Sequence, residues 1–303
     1  MSVKFGIAIP QFYPEGTVDL AVLDEYLAAA EALDYHSGWV QEEILRSPAL
    51  DAIGLLTYAA ARTTRLVLGT AVLITPVRNP LHLAKELLTL DHLSKGRLIV
   101  GVGLGTYTTT YPAFGIPAEL RARRFAEGIR LMKKLWTGDS VVFDGEYHKF
   151  QGERMLPKPY QKPHPPIYFG GNAEAALKRT AKMGDGWVGG RTPASEFKKH
   201  VVALRQMVAD EGRDPEKFSI AKRVYVQVDN QKGRAEERVM KWFGDTYGDP
   251  EGAKKSVTYG TEQECVDKIA EFIEAGAQEL ILNPIFEQRE QMDLLAKAII
   301  PKL

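Results

Sequence analysis

One cysteine, Cys265, occurs in 303 residues, so no intrachain disulfide can form and the chain fits a reducing compartment. The thiol reads as structural. The helix expected over 262–275 carries Val266, Ile269, Ala270 and Ile273 at helical spacing, and Cys265 falls on that apolar stripe. Charge of one sign is not in excess either: 39 Lys plus Arg stand against 39 Asp plus Glu, which removes the basic footprint of a nucleic-acid binder. No apolar run approaches the roughly 18 residues of a membrane helix. The N-terminus, MSVKFGIAIP, goes straight into a strand without the basic and apolar regions of a signal peptide. A soluble cytoplasmic protein is expected, with no nucleic-acid and no membrane partner. Metal chemistry has little basis, because the histidines form neither HxH nor HExxH and there is no CxxC. The GxSxG elbow of a serine hydrolase is also missing.

What is present is alternation. Short runs rich in Val, Ile and Leu predict strands at Lys4–Ile9, Ser37–Gln41, Arg65–Ile74, Arg97–Gly103, Pro166–Phe169, Asp185–Val188, Phe218–Val228 and Glu279–Asn283. Helical patterns fall between them, near 19–33, 49–62, 81–93, 119–136, 173–183, 194–211, 262–275 and 287–299. Leu23, Tyr26, Leu27, Ala30 and Leu33 make one apolar face of the first. Thr192-Pro193 offers a helix start, and Thr261 with Glu264 makes a capping box. Strict β–α alternation requires a parallel sheet covered by helices, open and doubly wound or closed as a barrel; eight units over this length favour a (β/α)₈ barrel.

Two stretches break the pattern. Residues 138–165 hold a hairpin with an Asp144-Gly145 turn, followed by a proline-rich passage. Residues 229–260 are polar, with one short helical run and a loop bearing Gly248, Gly252 and Gly260. Both are expected as insertions at the C-terminal face of a single domain spanning 1–303.

Two glycine-rich strand ends carry the chemistry. Gly101, Gly103 and Gly105 recur at every second position, which is not the GxGxxG of a dinucleotide fold; glycines on one face of a strand leave room for a flat ring. The second, Gly170-Gly171-Asn172-Ala173, ends a buried strand and opens a helix. Free backbone amides and the helix dipole make such a turn an anion site, although a plain turn with Asn172 as N-cap reads equally well from local sequence.

The run LGTAVLITPVRNPLHLAKELLTLDHLSKGRLIVGVGLG (68–105) closely resembles the luciferase-like monooxygenase family. So do RRFAEGIRLMKKLWTGDSVVFDGEYHKF (123–150) and PKPYQKPHPPIYFGGNAEAALKRTAKMGDGWVGGR (157–191). The resemblance runs from about residue 4 to 285. It implies a (β/α)₈ barrel that binds coenzyme F420, the first choice, or reduced FMN at the C-terminal strand ends. A non-prolyl cis peptide supporting the ring maps onto Ala71–Val72. Gly170 and Gly171, with Asn172 and Ala173, match the phosphate turn, and Gly103 and Gly105 match the strand passing the cofactor.

The sequence departs from the pattern of F420-dependent relatives at two places. The Asp-His at the end of the second strand is Glu42-Glu43 here, and no carboxylate occurs between Gly101 and Ala118. Glu42, with Gln41, then becomes the expected polar contact to the ring edge. Tyr107 is expected near cofactor or substrate, and Phe12 and Tyr13 on the substrate side.

The expected function is an oxidoreductase that moves hydride to or from a small organic substrate. Alternatives are a two-component monooxygenase using reduced FMN, and a flavin-binding barrel without catalysis. An aldolase using Lys222 or Arg223 is a weaker rival. The resemblance further implies a homodimer and a separate flavin or F420 reductase.

Overall fold

The computed structural model describes residues 3–13, 16–45, 47–105 and 108–303, apart from the side chains of residues 108, 153 and 232. In chain order its strands are β1 (Lys4–Ala8), β2 (Ser37–Val40), β3 (Val67–Thr70), β4 (Leu73–Ile74), β5 (Leu98–Gly103), β6 (Val141–Asp144), β7 (Lys149–Glu153), β8 (Ile167–Gly170), β9 (Gly186–Gly189), β10 (Ser219–Val228), β11 (Thr258–Gly260) and β12 (Glu279–Pro284). The helices are α1 (Leu20–Ala32), α2 (Ala52–Arg62), α3 (Pro80–Leu93), α4 (Arg121–Thr137), α5 (Glu174–Met183), α6 (Ala194–Asp210), α7 (Lys232–Tyr247), α8 (Pro250–Ser256), α9 (Glu262–Glu274) and α10 (Gln288–Leu294). No described helix is long and apolar enough to cross a membrane.

Parallel pairing runs β1-β2-β3-β5-β8-β9-β10-β12 and returns to β1, with Lys4 opposite Glu279 and Gly6 opposite Ser37. The sheet is therefore a closed (β/α)₈ barrel, and all eight strands expected from the sequence are its staves. β4 carries the line of β3 onward beside β5, and β11 adds to the outer end of β10.

Each strand stays put because both of its faces are covered. The outward residues meet the helices: Leu23, Tyr26, Leu27 and Ala30 of α1 are all buried at the spacing of one helical face. Burying a Leu-sized side chain in this way contributes about 1.5–3 kcal/mol. The inward residues include Trp39, Ile99, Tyr168, Val188, Ala221 and Ile281, which fill the barrel interior. Trp39 fits there because Gly69 faces it: a Cβ on Gly69 would lie 2.3 Å from the indole. Its Nε1 donates to Ser37 Oγ at 2.7 Å and to Glu279 Oε1 at 3.2 Å. Burial pushes the Glu279 carboxyl up from its ordinary value.

At the opposite face from the strand C-termini, Arg97 joins α2, α3 and β3. Its guanidinium and Nε donate to the carbonyls of Ser94, Leu66, Ala60 and Thr63 at 2.7–3.0 Å and to Thr63 Oγ1 at 2.9 Å. Five donations use every N–H that the side chain has.

Helix boundaries follow local chemistry. Thr261 and Glu264 form the expected capping box at α9. Cys265 is buried with its pKa pushed up to about 12 by burial, which makes it a core thiol. At α6 the expectation fails: Pro193 is the cap, and Thr192 accepts bonds from Lys222 instead. The 138–165 insertion carries the hairpin β6–β7. The 229–260 insertion is far more ordered than its polarity predicts. It contains α7 and α8, because Ala235, Val239 and Phe243 recur every four residues and bury themselves against Tyr225 and Tyr259.

Candidate active site

At the C-terminal ends of the strands lies a cleft of about 210 Å³ that opens beside a chamber of about 830 Å³. Gln41, Glu43, Arg223, Tyr225 and Tyr247 line both, so the two cavities adjoin across these side chains. This is the face where loops of a (β/α)₈ barrel build active sites.

The cleft floor is the Ala71–Val72 junction, and the peptide bond there is cis, at the position expected from the sequence. Val72 is seated by two glycines. A Cβ on Gly103 would approach its Cγ2 to 2.6 Å, and one on Gly170 its Cγ1 to 3.0 Å. Gly103 is therefore a packing residue that admits Val72, and it does not line the cleft itself; Gly105, Gly170 and Gly171 do. Arg223 Nη1 donates to Ala71 O at 3.2 Å, tying the floor to β10.

One end of the cleft is built for an anion. Gly171 turns the chain with φ of 109°, and Trp187 Nε1 donates to its carbonyl at 2.9 Å. The first amides of α5 have no carbonyl within the helix to serve, and Ala173, its N-cap, has no side-chain acceptor. Asn172 does not cap the helix as a local reading expects. Its Oδ1 accepts from Gly190 N at 3.3 Å and so holds the loop after β9 against the turn. Arg191, on that loop, completes the end. Its guanidinium lies 4.7 Å from the Tyr247 ring centre, and its buried Nη1 makes no hydrogen bond. Its nearest acid is Asp249, whose Oδ2 lies 3.6 Å from Nη1, beyond hydrogen-bond reach. A buried guanidinium nitrogen that makes an ion pair but no hydrogen bond, beside helix-terminal amides, can still take a phosphate oxygen.

Lys222 sets that loop from behind. It is fully buried on the outer side of β10, its Nζ donating to the carbonyls of Gly190 and Thr192 and lying 4.7 Å from the Phe272 ring centre. Burial pulls its pKa down to about 7. Pointing away from the cleft, it is a positioning residue, which removes the aldolase reading.

The other end is polar. Glu42 faces the cleft, but its carboxylate is engaged: it accepts from Ile74 N and from Arg78, whose Nε lies 2.7 Å away. It is a strut between β2 and the segment after β4, which corrects the role expected for it at the ring edge. The acid open to both cavities is its neighbour Glu43, which accepts from Gln41 Nε2 at 3.2 Å. Burial raises the Glu43 pKa, Arg223 lowers it, and Glu42 raises it further. Tyr225 Oη contacts Tyr247 Oη at 3.0 Å and Gln41 Oε1 at 3.4 Å; burial and Tyr225 together hold the Tyr247 phenol far above its ordinary value. Phe12 lines the chamber as expected, whereas Tyr13 is not among its lining residues. Tyr107 lies outside the described residues.

Arg223 and Tyr225 were legible in the alternation of β10. Ile220, Val224, Val226 and Val228 join the outer core, so Ala221, Arg223 and Tyr225 must point inward. Glu43 carried no comparable signal, because it lies past the end of β2, where the period of two no longer applies.

The raised Glu43 pKa has a consequence for stability. The folded state holds this proton more tightly than the unfolded chain, so removing it as pH rises costs stability. Glu43→Gln is expected to be more stable than the parent at pH 7, the gap opening as pH rises through the ordinary value of 4.5 and closing below it. Urea unfolding at pH 4 and pH 7 checks this, and a gap of equal size at both would overturn it.

Comparison with known proteins shows the family and the fold. The family model described as luciferase-like monooxygenase matches residues 3–279. An F420-dependent glucose-6-phosphate dehydrogenase from Mycolicibacterium fortuitum is 28% identical, covering 100% of this chain and 98% of its own. The crystal structure of a monooxygenase from Streptomyces bottropensis superposes with a TM-score of 0.82 at 27% identity, covering 98% of this chain and 99% of its own. The fold is shared further with an F420-dependent secondary alcohol dehydrogenase, TM-score 0.87 at 21% identity, over 100% of this chain and 99% of that one.

Proposed function

The chain is an oxidoreductase that belongs to the luciferase-like monooxygenase family, and we propose that it uses coenzyme F420 with a small organic substrate. The observation that carries this reading is a single cleft running from the Gly170–Gly171 turn, over the Ala71–Val72 floor, to Gln41 and Glu43. A flat ring with a phosphate-bearing tail is the kind of ligand such a cleft suits. The full-length likeness to an F420-dependent dehydrogenase supports F420 over FMN.

When bound, the deazaflavin supplies two-electron hydride chemistry. The protein's own residues do the rest. The first amides of α5 and Arg191 hold the phosphate, Val72 buttresses the ring, and the chamber walls keep water from the reacting end. Glu43, whose proton is held more tightly than usual, exchanges a proton with the substrate oxygen, and Arg223 orients it. Tyr107 belongs to this reading as a contact to cofactor or substrate. So do a single domain over 1–303, a cytoplasmic homodimer and a separate F420 or flavin reductase.

Reduced FMN is the second reading. Glu42-Glu43 stands where F420-dependent relatives carry Asp-His, and the monooxygenase from Streptomyces bottropensis is 27% identical. Calorimetric titration with F420 and FMN, each oxidised and reduced, separates the two. Micromolar F420 binding is the expected result, equivalent to about −8 kcal/mol. A preference for reduced FMN would replace the first reading with the second. Binding of neither below about millimolar, near −4 kcal/mol, would overturn both.

A further inference from the structure

The chamber beside the cleft has a character of its own. Its volume of about 830 Å³ lies in the upper part of the range for small-molecule sites, roughly 300–1,000 Å³. Phe12, Trp242, Ile285 and Phe286 give it apolar walls. Trp242 is fixed within an aromatic group, its ring centre 4.9 Å from that of Phe243, 5.7 Å from Tyr247 and 6.0 Å from Tyr225. Rings held this way present large, rigid apolar area at little cost in side-chain entropy.

Its charge is the opposite of what a phosphate ester needs. Among the described lining residues, Glu43 and Asp245 are acidic and Arg223 alone is basic. That guanidinium already donates to Ala71 O and lies 4.7 Å from the Tyr225 ring centre. A phosphate dianion placed here would lose its hydration and meet two carboxylates against one engaged cation. Ser47, Asp245, Thr246, Asn283 and Gln288 add polar groups to the wall, but Gln41 and Glu43 line both chamber and cleft, so a substrate oxygen that bonds to them stands at the reacting end.

Resting on the oxidoreductase reading above, we propose that the chamber takes an unphosphorylated, ring-bearing organic molecule with one polar oxygen, packed against Trp242 and Phe286 with that oxygen turned to Gln41 and Glu43. Its substrate class thus differs from the sugar phosphate that names the Mycolicibacterium relative. The walls come from α7 and from the end of β12, the one an insertion and the other the last stave.

The test uses the full chain with 1-tetralone, an uncharged bicyclic ketone, and glucose 6-phosphate as probes. Trp39, Trp136 and Trp187 are buried in the core, so Trp242 is the tryptophan that reports on the chamber. 1-Tetralone is expected to quench tryptophan fluorescence and bind by calorimetry, while glucose 6-phosphate gives neither signal. Trp242→Phe should keep binding and lose most of the quenching. Trp242→Ala should weaken binding about tenfold, roughly 1.4 kcal/mol, with circular dichroism confirming that it folds. Saturable binding of glucose 6-phosphate without binding of 1-tetralone, or an unchanged affinity in Trp242→Ala, overturns the proposal. F420 and FMN are titrated into the same samples. A chain that binds either cofactor but not 1-tetralone loses this inference alone; one that binds 1-tetralone but neither cofactor loses the cofactor reading alone.

Discussion

Gly171→Asp is expected to weaken F420 binding by at least about a hundredfold, roughly 2.7 kcal/mol. Two effects combine. Gly171 has φ of 109°, in a region that L side chains rarely adopt, and a Cβ there would lie 3.0 Å from Ala176 Cβ. The new carboxylate would also stand at the mouth of the turn that the first amides of α5 and Arg191 prepare for an anion. Gly171→Ala keeps the backbone cost and omits the charge, so its loss should be about tenfold or less. Fluorescence titration of both variants separates the two contributions. Parental affinity in Gly171→Asp would remove the phosphate assignment from this turn, while an equal loss in both variants would leave only backbone strain as its cause.

The largest effect on stability is expected from a single methyl group. A Cβ on Gly101 would stand 1.7 Å from Thr70 O, a backbone atom in the neighbouring strand. Thr70 cannot turn aside, because its hydroxyl bonds both the amide and the carbonyl of Gly101 at 2.8 Å. Gly101→Ala must therefore part β3 from β5 and open the barrel wall. A cost of about 3 kcal/mol or more follows, at the upper end for overpacked cores. Gly54→Ala is the control. It lies exposed in α2 with only Asp51 near its Cβ position, at 3.5 Å, and should be neutral or stabilising by up to about 1 kcal/mol. Thermal unfolding of the pair decides the matter, and equal melting temperatures would contradict the close approach.

The barrel was legible because each stave is a buried run of Val, Ile and Leu, and because the helices between them carry one apolar face each. The position of the cis bond and the glycine turn came from resemblance, and the capping box from residue type and spacing. What escaped the sequence was contact across the fold. Glu42 and Glu43 are adjacent and chemically alike, and the partners that make Glu42 the strut, Ile74 N and Arg78, lie 32 and 36 positions away from it. Gly103 looked like a place for a ring, yet Val72 from the next stave occupies that room. In the 229–260 insertion the charges of KGRAEERVMKWF concealed Ala235, Val239 and Phe243, whose spacing becomes meaningful once Tyr225 is known to face them. Lys222 and Arg223 likewise differ by one step along a strand, one behind the loop and the other inside the cleft.

The Arg97 knot lies at the end of the barrel remote from every residue just discussed. Its partners are mostly main-chain carbonyls, so the bonds persist whatever side chains those positions carry. The molecule thereby separates a foundation held by main-chain bonds from an adjustable rim. A library randomising Gln41, Glu43, Trp242, Asp245 and Phe286 together should return a high fraction of folded members with altered preference for what they convert. Randomising Arg97 itself should return mostly aggregates, whereas Ser94, which accepts through its main-chain carbonyl, should tolerate exchange. Retuning this enzyme is a matter of editing one rim of a barrel whose far end keeps it whole.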